Sequence, residues 1–159
     1  MLLWFAIMAP ILVAEIFRSP MVDYRMVAIG AVLPVLEVVT GRALVLHTLL
    51  GSVAALGLVM ALTQQRRLVR RRWLGIPIGL MFHLVLDGTW TSKALMWWPV
   101  FGVGFEEAVP EFSRGAVVPV LLELVAVGAG WWAWRRYELD QLDNRTQLFR
   151  TGQLVRGVL

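Results

Sequence analysis

The chain contains no cysteine, which excludes a disulfide scaffold, a thiolate metal site and a cysteine nucleophile. Charge is scarce: 16% of the residues are charged, against about 25% in an ordinary soluble domain. Lysine is limited to Lys93, the other basic residues being arginines, and the two histidines are His47 and His83. With 58% hydrophobic residues, this composition excludes a disordered chain and disfavours a soluble domain. From Met26 to Thr63 only Glu37 and Arg42 carry formal charge. What is present, in long uncharged runs within 159 residues, therefore reads as one integral membrane domain whose first partner is the lipid bilayer. The net charge of +4 is no nucleic-acid footprint, because the arginines gather at segment ends rather than along a stripe; no nucleic-acid partner is expected.

A helix needs about 20 apolar residues to cross the ~30 Å hydrocarbon core. Five stretches are candidates: residues 2–17, 26–40, 42–63, 73–91 and 115–134. The first lacks a basic leader and a small-residue cleavage site, so it reads as a retained helix. The second and third can also be one broken unit, so the count is four to five. The expected fold is all-α: a polytopic transmembrane helix bundle over residues 1–134, followed by a cytoplasmic tail, 135–159. Arg66, Arg67, Arg70, Arg71 and Arg72 in one loop, and Arg135 and Arg136 after the last span, fix both as cytoplasmic. The connection 92–114 then lies outside, with Glu106, Glu107 and Glu111 in it. Its apolar run 94–102, with Trp97, Trp98 and Phe101, is too short to cross and reads as a short interfacial or re-entrant aromatic segment. The tail carries no motif; one option is that it prolongs the fifth helix.

Ionisable side chains inside a span cost a few kcal/mol each and need a reason to be there. Glu37, His47, His83, Asp87 and Glu123 all fall within the candidate spans. His83 and Asp87 are four residues apart and share one helix face. Under the topology drawn from arginines, Asp87 lies about 6 Å, His83 and Glu123 about 12 Å, His47 about 8 Å and Glu37 about 5 Å below the outer ends of their segments. Glu15 falls near the inner face instead. A shared polar site in the outer half follows, built either as a mutual hydrogen-bond network or around a metal. Nitrogen and oxygen ligands without sulfur suit zinc, manganese or iron. Such an ion can lower the pKa of a bound water to give a nucleophile.

The run His83-Leu84-Val85-Leu86-Asp87-Gly88-Thr89-Trp90-Thr91, followed by Ala94-Leu95-Met96-Trp97-Trp98-Pro99-Val100-Phe101, resembles the bacterial inner-membrane metal-dependent hydrolases described as LexA-binding. Upstream, Pro34-Val35-Leu36-Glu37 is similar to the family's Pro-Asp-x-Asp element. Val45-Leu46-His47-Thr48-Leu49-Leu50 is similar to the end of its His-Arg-Gly-x-Thr-His-Ser-Leu-Leu element. The likeness covers residues 29–101. It implies an inner-membrane, multi-pass hydrolase with a divalent metal held by Glu37, His47, His83 and Asp87. Val35 and Arg42 stand where the family has an Asp and a His. The resemblance thus implies a reduced, mononuclear site, with Glu123 as a possible helper, or a non-catalytic relative.

Two functions follow. The first is hydrolysis of an amphiphilic substrate, a lipid- or polyprenyl-linked phosphate ester, at the outer side of the membrane. Asp87 and Arg42 would then be catalytic, Arg42 as a phosphate clamp; the alternative for Arg42 is a snorkelling residue at the headgroups. The second is an accessory subunit of a larger membrane complex, or of a homo-oligomer.

Overall fold

The computed structural model describes residues 1–40, 43–104 and 115–154. Among these the protein is all-helical, without a strand: α1 (Leu2–Phe17), α2 (Tyr24–Val32), α3 (Leu49–Leu62), α4 (Arg67–Trp73), α5 (Gly75–Asp87), α6 (Lys93–Met96), α7 (Val117–Arg136) and α8 (Leu142–Thr151). Short 3-10 helices occupy Leu33–Thr40, Val45–His47 and Thr89–Thr91. Arg42, expected as a phosphate clamp, and Glu106, Glu107 and Glu111 of the connection expected on the outer side lie outside the described residues.

Local chemistry sets the ends of these elements. The Asp23 side chain accepts the Arg25 backbone N–H and starts α2. Pro34 offers no N–H to the ladder, and the backbone tightens there into the 3-10 helix Leu33–Thr40. Thr48 caps α3 by accepting from Gly51 N, and Gly88, left-handed at φ 70°, closes α5.

The centre of the fold is α5 against α2, with α1 packed across α2 and α7 across α1. The α2–α5 contact is backbone against backbone. A Cβ on Gly30 would stand 2.2 Å from Ile76 O, and one on Gly79 2.2 Å from Val27 O. Gly75-Ile76-Pro77-Ile78-Gly79 thus acts as a small-xxx-small face, the device that lets helices approach closely in lipid. Beside it Phe5, Ala9 and Val13 of α1 bury themselves against Tyr24, Val27 and Ala31, with Ala133 and Tyr137 completing the cluster.

The outward surfaces are apolar. On α3 the buried residues are Gly51, Ser52 and Val59, whereas Val53, Leu56, Leu58 and Leu62 are exposed. On α7 only Ala126 and Ala133 are buried, and Val117, Leu121, Leu124 and Trp131 face outward. Apolar residues thus lie on both the buried and the outward faces of α3 and α7, unlike the single apolar face of a water-soluble amphipathic helix.

Helix lengths differ from the hydropathy reading. Among the described residues, α7 is the one helix long and apolar enough to cross a membrane; α1, with 16 residues, and α3, with 14, are apolar but shorter. Stretch 26–40 is divided at Pro34, stretch 42–63 is α-helical only from Leu49, and stretch 73–91 is broken at Leu74 and Gly88. Four or five continuous spans are therefore not what the helices themselves provide. The tail does not prolong α7, which ends at Arg136. Instead α8 folds back onto the start of α2, with Tyr24 N donating to Gly152 O (2.7 Å), while Tyr137, at the end of α7, donates its hydroxyl to Glu15 Oε1 of α1 (2.8 Å).

Gly79→Ala should force α2 and α5 apart and lower stability by about 1–3 kcal/mol. Gly57→Ala, on α3 with open space around its Cβ position, should be neutral or stabilise by up to about 1 kcal/mol. Thermal midpoints of both variants in mild detergent check the contrast.

Candidate metal centre

Close packing of α2 on α5 leaves the His83 ring beside the last turn of α2, whose carbonyls have no α-helical partner. His83 Nδ1 lies 2.7 Å from Ala31 O. A carbonyl can only accept, so Nδ1 carries the hydrogen, and in the neutral ring Nε2 keeps a lone pair. The Phe5 ring packs against His83, with centroids 4.0 Å apart and the ring planes tilted by 32°. One turn further along α5, Asp87 is fully buried and its Oδ2 accepts from the Thr89 hydroxyl at 3.0 Å.

His47 arrives from the 3-10 helix Val45–His47, fully buried, its ring centroid 5.1 Å from that of His83 and nearly perpendicular to it. That turn is fixed from two sides. The Thr48 hydroxyl donates to Val45 O (2.7 Å), and Gly51 leaves room for the same carbonyl, which a Cβ there would meet at 2.0 Å. From the other side Glu37 accepts Leu44 N at Oε2 and Leu46 N at Oε1, each at 2.9 Å, and its Oε2 lies 2.8 Å from His47 Nδ1. A carboxylate that already accepts two amide N–H groups receives a third from the imidazole, so His47 also carries its hydrogen on Nδ1.

One ligand atom from each of His47, His83 and Asp87 lies within 4.8 Å of the other two. Both Nε2 atoms are buried, and among the described residues neither has a hydrogen-bond partner. Leaving such atoms unpaired costs about 1–3 kcal/mol each. Ligand atoms this near one another are close enough to bind a metal ion. Two imidazole nitrogens and a carboxylate oxygen suit zinc, manganese or iron.

The residues expected to form the site divide as follows. His47, His83 and Asp87 come together. Glu37 differs from the expectation: it is not in the ligand group but stands behind His47, because its oxygens are taken up by the imidazole and two amides. That is the carboxylate–histidine arrangement by which proteins orient a metal ligand. Glu123 is also outside the group, with Oε1 3.6 Å from the Met1 nitrogen. Sequence reasoning passed over Thr89, Phe5 and the Ala31 carbonyl. Thr89 was within reach, two residues from Asp87; the other two act across helices and leave no local pattern. The aromatic segment begins as α6, which packs on the 3-10 helix containing Thr89, and Leu95 is buried there while Trp97 and Phe101 are exposed.

No family model matches the chain, and no curated protein or solved structure matches it.

Glu37→Ala should strand the Leu44 and Leu46 amides and the His47 Nδ1–H, lowering stability by about 3 kcal/mol or more, since each stranded donor costs about 1–3 kcal/mol. Glu37→Gln, which keeps one acceptor oxygen, should cost less. Nitrogen-15 NMR should find both imidazoles of the wild type protonated at Nδ1, and in Glu37→Ala only His83 should keep that tautomer firmly.

Proposed function

We propose that this protein is a multi-pass membrane hydrolase whose His47, His83 and Asp87 hold one divalent cation, acting on an amphiphilic phosphate ester. The observation that carries the reading is the buried convergence of those three residues, with two imidazole Nε2 atoms lacking a partner among the described residues. A bound cation there would supply Lewis-acid activation of water at neutral pH. The chain's own residues contribute orientation: Glu37 holds the His47 tautomer, Ala31 O holds that of His83, and Thr89 fixes the Asp87 carboxylate. Phe5 and the surrounding apolar helices exclude bulk water from the group. Arg42 pairs with the substrate phosphate in this reading, through the planar guanidinium that matches phosphate oxygens.

Several features support placing the chain across the membrane more than once. α2 and the 3-10 helix that follows it run from Tyr24 to Thr40, together about 30 Å long. The apolar outward faces of α3 and α7 need lipid or protein against them. The three arginine-bearing segments meet at one end: Arg72 Nε lies 3.4 Å from Asp23 Oδ2, and Arg25 donates to Phe149 O. Length α5, about 18 Å along its axis, separates that end from Asp87. The gathering of these described arginines at that end matches a cytoplasmic face there, with the metal centre nearer the outer leaflet of an inner membrane.

Protein purified without chelator should contain about one divalent ion per chain. His83→Ala and Asp87→Asn should lose it while keeping most of the thermal stability, and hydrolysis of a lipid phosphate ester should fall with metal content. A wild type free of metal would overturn the hydrolase. If a tightly held second protein accompanied that metal-free chain, the apolar face of α7 would read as the docking face of a non-catalytic subunit.

A further inference from the structure

At the end opposite the histidines, the α1–α2 loop, α4 and the end of α8 enclose a pocket of about 260 Å³. Arg25, Arg71, Arg72 and Arg150 line it together with Asp23 and Thr151. Asp23 is the only acid among these residues, and its oxygens are already engaged. Oδ1 accepts Arg25 Nε at 3.0 Å, while Oδ2 accepts Arg25 Nη2 at 2.8 Å and lies 3.4 Å from Arg72 Nε. Arg25 spends its remaining Nη1 on Phe149 O, so it ties α8 to the loop and is structural. Arg71 and Arg150 have no carboxylate partner among the described residues, and Arg71 instead contacts the Met21 sulfur. Four guanidinium groups thus surround one carboxylate in a space large enough for a phosphate group. Like charges held this close repel, and an anion accepting from several guanidinium groups offsets that repulsion.

We infer that this pocket binds the phosphate of an anionic phospholipid headgroup through Arg71, Arg72 and Arg150, with Arg25 and Asp23 holding its wall. The ligand chemistry, a phosphate carrying at least one negative charge, is common to a lipid headgroup and to free phosphate. The lipid is favoured because the pocket adjoins the apolar helices and collects the arginines that mark the headgroup level of a membrane face. The lipid source rests on the membrane reading above, but the anion site does not depend on the metal centre.

The test uses the full chain in nanodiscs of phosphatidylcholine containing a minor fraction of phosphatidylglycerol, with retained lipid counted by native mass spectrometry after extraction. Wild type should retain phosphatidylglycerol in preference to phosphatidylcholine. Arg71→Gln combined with Arg150→Gln should weaken that retention by about tenfold or more, since each substitution removes a charge-assisted contact. The charge-matched control, Arg66→Gln with Arg67→Gln, lies outside the pocket and should leave retention intact. Metal content should be the same in every variant, which keeps failure here distinct from failure of the hydrolase reading. In a second arm, inorganic phosphate is added to detergent-solubilised protein. A rise in the thermal midpoint of wild type but not of the pocket variant, without lipid preference in nanodiscs, would overturn the lipid and assign the site to free phosphate. Equal lipid retention by the pocket variant and wild type, with no phosphate response, would overturn the anion site.

Discussion

The placement of His83, around which the polar group is built, depends on how closely the backbones of α2 and α5 approach one another. Gly30 and Gly79 remove the side chains that would hold the two helices apart, each leaving space that a Cβ would fill to within 2.2 Å of a facing carbonyl oxygen. At one end of this contact His83 reaches the Ala31 carbonyl, which sets its tautomer and aims the other nitrogen at the site. At the other end Asp23, capping α2, meets Arg72 from the segment that precedes α5. A single helix pair therefore carries a buried nitrogen-and-oxygen group at one end and a cationic pocket at the other. Widening it by one methyl group would disturb both.

The two polar regions are stabilised in opposite ways. Around the histidines, polar atoms sit in an apolar enclosure and are satisfied one by one: Glu37 accepts from His47 and two amides, Thr89 donates to Asp87, Ala31 accepts from His83. The imidazole Nε2 atoms are what this scheme leaves over, and a cation is the partner that suits two nitrogens beside a carboxylate. At the arginine end the positive charges outnumber the carboxylates and face a half-open pocket, where water and mobile anions screen them. On the readings proposed above, the first region would take a cation and the second an anion, each by the charge it lacks.

Much of the helical plan was legible. The apolar stretch 2–17 coincides with α1, and 115–134 differs from α7 by a two-residue shift. His83 and Asp87 could be placed on one face because a four-residue spacing in a helix leaves no other choice. The region between Pro34 and Leu49 was less legible, because hydropathy sees its composition but not its turns. Thr48, a capping residue ahead of Gly51, was the sign that α3 begins there and that His47 sits in a tight turn before it. Glu37 was placed in the polar site from its charge and depth and among the ligands from the family resemblance, whereas its oxygens are engaged by amides of Leu44 and Leu46 that no side-chain pattern reveals. The return of α8 to the start of α2 was hidden for the same reason, since Tyr24 N and the Arg25 guanidinium both donate to backbone carbonyls, Gly152 O and Phe149 O. The Gly75–Gly79 spacing that marks the α2–α5 contact stands in the sequence but was not read there as a packing face.

The most direct measurement is X-ray absorption at the edge of the metal that accompanies the purified protein. A first shell of nitrogen and oxygen at about 2.0–2.2 Å, with the outer-shell scattering of two imidazoles and no sulfur, is the predicted spectrum. In His47→Ala the imidazole contribution should fall by half or the metal should be lost altogether. A shell of oxygen alone, or a spectrum unchanged when His47 or His83 is replaced, would contradict a metal centre at these residues.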